Sequence, residues 1–141
     1  MKLTDTNETA ARLRRSITRL NRRLRQSSLG GISPAQASLL ATVSKLETPS
    51  LGDLAIAEQI QPPSVTKLVR NLERDGFLTC YPDAADRRCT RVVLTMLGEK
   101  EVKEIRARKT EFLEQRLALL SETDQRRMSE LAELLEGLLE S

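Results

Sequence analysis

The sequence contains no histidine and no tryptophan, and aromatic residues fill only 2% of its 141 positions. Without histidine there is no imidazole to act as a base near neutral pH or to ligate zinc. No Ser/His/Asp or Cys/His arrangement can be assembled, and the six glycines form no phosphate-cradling loop. An enzyme is therefore not expected, nor is a cofactor or a bound metal. Two cysteines, Cys80 and Cys89, are too few for a secreted disulfide framework. No apolar run approaches the ~18 residues of a membrane span, and the first residues carry no signal-like apolar stretch. A cytoplasmic protein without membrane contact is the expectation by elimination. With so few aromatics, the core has to be built from Leu, Val, Ile and Ala.

What the sequence does have is charge, unevenly placed. The net charge is +3, with charged residues at 30%. Residues 1–30 carry Lys2 and seven arginines against Asp5 and Glu8, whereas residues 92–141 are net acidic. Such asymmetry points to a polyanion touched by part of the molecule. A solvated arginine face on an amphipathic helix is the plainer reading of the first segment.

The punctuation is helical. Leu13, Ile17, Leu20 and Leu24 recur at spacings of four, three and four, which makes one apolar stripe that ends at Gly30-Gly31. Ser33-Pro34-Ala35-Gln36 spells a capping box with a first-turn proline, and its helix should turn Ala37, Leu40, Val43 and Leu46 inward. Ser50 to Asp53 offers a second cap, followed by a short helix containing Leu54, Ala55 and Ile56. Pro62-Pro63 starts another helix, with Val65, Leu68, Val69 and Leu72 on one side and Gly76 as its terminator. The period then changes: Phe77–Tyr81 predicts a strand, Pro82 to Asp86 a loop, and Thr90–Thr95 a returning strand. A long helix lined by Val102, Ile105, Phe112, Leu113, Leu117 and Leu120 follows. The last helix, capped by Ser121 or Thr123, carries Met128, Leu131, Leu135 and Leu138.

Two short helices around a tight turn followed by a hairpin describe a winged helix-turn-helix. The expected fold is mainly α with a small β-hairpin wing. Residues 1–32 and 99–141 would supply dimerisation helices, and residues 33–98 the DNA-binding unit, with the helix-turn-helix at about 50–75 and the wing at about 77–95. The second helix presents Pro63, Ser64, Thr66, Lys67, Arg70, Asn71 and Arg74, groups suited to base edges and phosphates. The hairpin loop offers Asp83, Asp86, Arg87, Arg88 and Arg91. A cation on such a loop suits the minor groove, and Asp86 can orient a neighbouring guanidinium. Strand alternation sends Arg87 and Arg88 to opposite faces and leaves open which of them enters the groove. The stripes Leu13/Ile17/Leu20/Leu24 and Met128/Leu131/Leu135/Leu138 exceed what one short chain can cover, so a homodimer is expected.

Leu54-Ala55, Pro62 to Glu73, Asp75-Gly76-Phe77, Pro82-Asp83, Asp86-Arg87-Arg88 and Leu94-Thr95-x-x-Gly98 together resemble the MarR (multiple antibiotic resistance regulator) family. The motif region spans residues 50–98, and the flanking helices suit the rest of the chain. The resemblance implies a symmetric dimer on a palindromic operator in double-stranded DNA, acting by default as a repressor. It also implies release by a small aromatic-acid or phenolic effector, whose contact residues it does not specify. Several positions depart from the pattern: Gln59 where glycine is frequent, Arg70 where an acid is frequent, Cys80-Tyr81 before the wing, and Met96-Leu97 before Gly98. Two other readings stay open: a helical protein-interaction module, and DNA binding controlled by oxidation of Cys80 and Cys89.

Overall fold

A computed structural model describes residues 5–141; Lys2, counted in the basic first segment, lies outside them. Six helices and one hairpin follow in the order α1 (Thr6–Ser27), α2 (Pro34–Leu46), α3 (Leu51–Glu58), α4 (Pro62–Arg74), β1 (Leu78–Pro82), β2 (Thr90–Leu94), α5 (Met96–Leu117) and α6 (Glu122–Leu139). The architecture is mostly helical with one small antiparallel sheet, as a winged helix requires.

Local chemistry sets most boundaries. Ser33 accepts from the Gln36 N–H while the Gln36 side chain accepts from the Ser33 N–H, closing the capping box of α2. Ser50 and Asp53 repeat the device at α3. Pro62 opens α4, where the missing N–H would have had no helical partner. Gly76 follows α4 at φ 86°, a left-handed conformation that needs no Cβ. Ser121, not Thr123, caps α6.

Gln59 turns the chain between α3 and α4. It stands at φ 55°, ψ 42°, and its N–H closes onto Ala55 and Ile56. This left-handed geometry is why glycine is frequent at that point. A side chain there costs about 1–2 kcal/mol, which the surrounding packing absorbs.

The core joins α2, α3, α4, the hairpin and the start of α5. Leu39, Leu40, Leu54, Val65, Leu72 and Val92 are fully buried, and Val102 of α5 belongs to the same cluster. The long helix is thus continuous with the winged unit. Several expected placements need correcting, among them Pro82, which ends β1 opposite Thr90 instead of opening the loop, and Thr95, which caps α5 instead of ending β2. Leu46 is 42% exposed, because α2 ends there and turns through Glu47 and Thr48, both at positive φ; Leu39 takes the inward place. The first strand begins at Leu78, since Phe77 still belongs to the turn that closes α4, its N–H donating to Leu72. Leu120 lies beyond α5 in the bend before α6.

The hairpin pairs Leu78 with Leu94 through Pro82 with Thr90. A third segment joins its edge: Ser50 bridges Arg91, and the Val92 N–H donates to the Pro49 carbonyl at 2.9 Å. The wing is thereby fixed to the entry of α3.

No residue of α1 or α6 is buried. Ile17, Leu20, Met128 and Leu138 are exposed, while Leu13, Leu24, Leu131 and Leu135 are half-covered. α1 leans on α5, but among the described residues α6 has no comparable partner.

Candidate nucleic-acid interface

α4 divides its faces sharply. Val65, Val69 and Leu72 point into the core. Pro63, Lys67, Arg70 and Arg74, at spacings of four, three and four, project from the opposite side and are exposed. Ser64 is exposed beside them, and Asn71 is half-buried on the same flank. Thr66 lies on the other flank, half-buried, with its hydroxyl donating to the Pro62 carbonyl at 3.1 Å. Among the described residues, neither Lys67 nor Arg70 has an ion-pair partner, and Arg74 has only its neighbour Asp75 at 3.6 Å. Glu73, the acid within α4, faces the hairpin and accepts from the Cys80 N–H at 3.0 Å. From Lys67 to Arg74 the exposed side carries three cations, beyond an uncharged first turn.

Two aspartates shape the wing. Asp86 Oδ1 accepts from the backbone N–H of Arg88 at 3.1 Å and from its Nε at 3.2 Å. The Arg88 side chain remains 93% exposed, so it is oriented without being covered. Arg87 is exposed and, among the described residues, unpaired. Asp83 organises the loop itself: Oδ1 accepts from the N–H groups of Ala85 and Asp86, and Oδ2 takes Arg91 Nε at 2.7 Å. These bonds hold the Asp83 carboxyl below the usual carboxylate range, the Arg91 hydrogen bond contributing most.

Arg91 differs from its placement among the loop cations. It reaches back to Asp83, to Asp53 at 3.6 Å and to the Thr48 carbonyl at 3.5 Å, binding the wing to the α2–α3 junction. The spacing of the sequence gives no hint of this, because Thr48 is 43 residues away.

The two cysteines do not approach each other. Cys80 pairs with Val92, whereas Cys89 sits opposite Asp83, its carbonyl accepting the Asp83 N–H. Three rungs separate them, about 10 Å along the strand, against the roughly 7 Å between Cα atoms that a disulfide spans. Burial and the adjoining Glu73 carboxylate push the Cys80 thiol up to about 11. Both facts oppose thiol control through this pair.

A crevice of about 210 Å³ opens between α1, α2 and α5. Arg25, Lys45 and Lys109 give it positive charge, and Asn21, Ser38 and Thr42 supply uncharged polar groups. The Ser38 and Thr42 hydroxyls both donate to the carboxylate of Glu58 at the end of α3. Glu58 does not stand out in the sequence, although an acid in the last turn of a helix, against the macrodipole, is a usable signal.

Comparison with known proteins agrees with this architecture. A profile of the MarR family matches residues 32–90. An uncharacterised HTH-type transcriptional regulator of Mycobacterium bovis is 31% identical over 132 residues, covering 93% of this chain and 92% of its own. The transcriptional regulator Tm0710 of Thermotoga maritima superposes with a TM-score of 0.80 at 27% identity, over 92% of this chain and 95% of its own. Staphylococcus aureus MepR aligns in two complexes. A variant bound to an oligodeoxyribonucleotide gives a TM-score of 0.68 at 27% identity over 92% and 97% of the two chains. The ethidium bromide complex gives 0.60 at 28% identity over 91% and 95%. The chain belongs to the MarR family and is a winged-helix, DNA-binding transcription regulator, not an enzyme.

Proposed function

We propose that the chain works as a homodimer that represses transcription from a palindromic operator and leaves the DNA when a small aromatic acid binds. The observation that carries the reading is the cationic side of α4 from Lys67 to Arg74, with Lys67 and Arg70 unpaired among the described residues, next to a wing whose Arg88 is held outward by Asp86. In this reading α4 lies in the major groove. Pro63, Ser64, Thr66, Lys67, Arg70, Asn71 and Arg74 serve base edges and phosphates, and Arg88 enters the minor groove. Arg87, exposed in the same turn as Arg88, meets phosphate. No described helix is long and apolar enough to cross a membrane, which suits a protein that works on the chromosome in the cytoplasm.

The dimer rests on the uncovered apolar positions of α1 and α6. A second copy related by a two-fold axis covers Leu13, Ile17, Leu20 and Leu24 together with Met128, Leu131, Leu135 and Leu138. It also gives two α4 helices for two half-sites.

The effector reading rests on the crevice. MepR takes ethidium, a planar aromatic cation. Arg25, Lys45 and Lys109 here select the opposite charge, and 210 Å³ suits a single-ring acid, below the roughly 300–1,000 Å³ of drug-sized sites. The test is recovery of genomic DNA bound to the protein, followed by titration of the recovered duplex with and without salicylate. A two-fold symmetric site, bound by a dimer and released by the acid, is the expected result. Binding to random duplex with equal affinity would defeat the operator reading.

A further inference from the structure

We propose that Glu58 is the positioning residue that couples the α1/α2/α5 crevice to the recognition helix. Its carboxylate takes both hydroxyl protons offered by the crevice wall, so an anion bound there has to draw them away and unseat the end of α3. The inference rests on the effector reading above and names the route by which that site acts.

Ser38 and Thr42 are one helical turn apart on α2, and both line the crevice. Ser38 Oγ donates to Glu58 Oε2 at 2.7 Å, and Thr42 Oγ1 donates to Oε1. A hydroxyl has one proton. With both spent on Glu58, neither can be given to a carboxylate in the crevice without breaking the link to α3. The two anions would also repel each other across the same pair of hydroxyls. Ligand and glutamate therefore compete.

Glu58 is placed so that this competition reaches the DNA side. It is the last residue of α3. A negative charge there opposes the helix dipole and needs donors to hold it. None of the ion pairs among the described residues involves it, so the two hydroxyls are its side-chain anchors. Gln59 follows in its left-handed turn, and Gln61 holds the position before α4, where its carbonyl accepts the Ser64 and Val65 N–H groups. Three residues separate the carboxylate from the recognition helix, and their geometry is fixed by bonds from Gln59 and Ile60 back to α3. Losing the anchor releases the end of α3 from α2, and the fixed turn passes that shift on to α4.

The test uses the full-length dimer, the genomic operator duplex and salicylate as probe. In the unaltered protein salicylate should lower operator affinity by about 5- to 150-fold, the usual span of coupling between two sites. Glu58→Gln should still bind salicylate by calorimetry, no more weakly than before, yet operator affinity should no longer respond. A purely structural role would lower thermal stability without removing that response. Without ligand, Ser38→Ala with Thr42→Val should weaken operator binding at least about fivefold, and adding Glu58→Gln should weaken it little further. If Glu58→Gln keeps the full salicylate response, the coupling role is overturned and the effector reading stands. If salicylate binds none of the proteins, the effector reading falls, and the ligand-free comparison decides. Unchanged operator affinity in the hydroxyl-free variant then overturns the role of Glu58, and a non-additive loss sustains it.

Discussion

Arg91 joins Asp83 at the base of the wing, Nε to Oδ2 at 2.7 Å, and the same guanidinium lies 3.6 Å from Asp53 at the start of α3. One side chain thus fastens the hairpin to the helix-turn-helix. Asp83 also accepts two loop N–H groups, so its carboxylate supports both the wing tip and the wing base. Its folded carboxyl is held below the value near 3.9 of an unfolded aspartate. The unfolded chain therefore binds more protons in acid, and the stabilisation is present above pH ~4 and lost as pH falls below it. Hydrogen exchange at the Ala85 and Asp86 amides should accelerate beyond the intrinsic rate as pH falls below about 4. Asp83→Asn should remove that pH dependence.

Asp86→Ala should weaken DNA binding, although it deletes a negative charge next to the polyanion. Freed from Asp86, Arg88 loses its orientation, at a cost of about 2- to 10-fold in affinity, the worth of one hydrogen bond. Charge counting predicts tighter binding, so the sign of the change in a titration with operator duplex decides the matter. The loss should be largest on A·T-rich flanks, where the groove is narrow.

Lys67→Ala and Arg70→Ala separate the grip on phosphate from the reading of bases. A side chain that neutralises a phosphate should, when removed, reduce the slope of log K against log salt by about 0.9. Removing one that reads a base edge should instead cost about 1–3 kcal/mol at one operator position and leave the slope nearly unchanged. If neither variant alters affinity or slope, α4 is not the reading helix.

Deleting residues 123–141 removes Met128, Leu131, Leu135 and Leu138, the α6 half of the proposed dimer positions. Sedimentation should then report a monomer, and operator affinity should fall steeply because two half-sites are no longer bound together. A truncated chain that stays dimeric would move the interface elsewhere.

With its thiol pushed up to about 11, Cys80 should be alkylated far more slowly near pH ~8 than an ordinary cysteine. Mild peroxide should neither link Cys80 to Cys89 nor change operator affinity. Mass spectrometry of the oxidised protein is the check.

What could be foreseen from the sequence is what depends on neighbours in the chain. The caps at Ser33 and Ser50, the split faces of α4 and the Asp86–Arg88 bond each involve residues two to four positions apart. Their geometry follows from helical pitch or from a short loop. Arg91 and Glu58 work across longer gaps, to Asp53 and Thr48 in one case and to Ser38 and Thr42 in the other. No period reveals such pairs, because the fold has to exist before the partners meet. Leu39 and Leu46 show a milder failure. Seven positions apart, both lie on one face of α2, but Leu46 is its last residue and reaches past the core that covers Leu39.

Gly98 sits buried at the start of α5, so close to Phe77 that a Cβ would overlap the Phe77 carbonyl oxygen. That same carbonyl accepts the Thr95 N–H at 3.1 Å. The root of the wing and the root of the long helix are therefore clasped backbone to backbone, with no side chain between them to act as a cushion. Mechanically the two form a bell crank. A swing of α5, whose Phe112 lies beside Arg23 of α1, is then expected to carry the root of the wing with it. Any side chain at position 98 would prise that clasp open, so this is the place to insert slack between the subunit interface and the DNA-binding face without touching either surface.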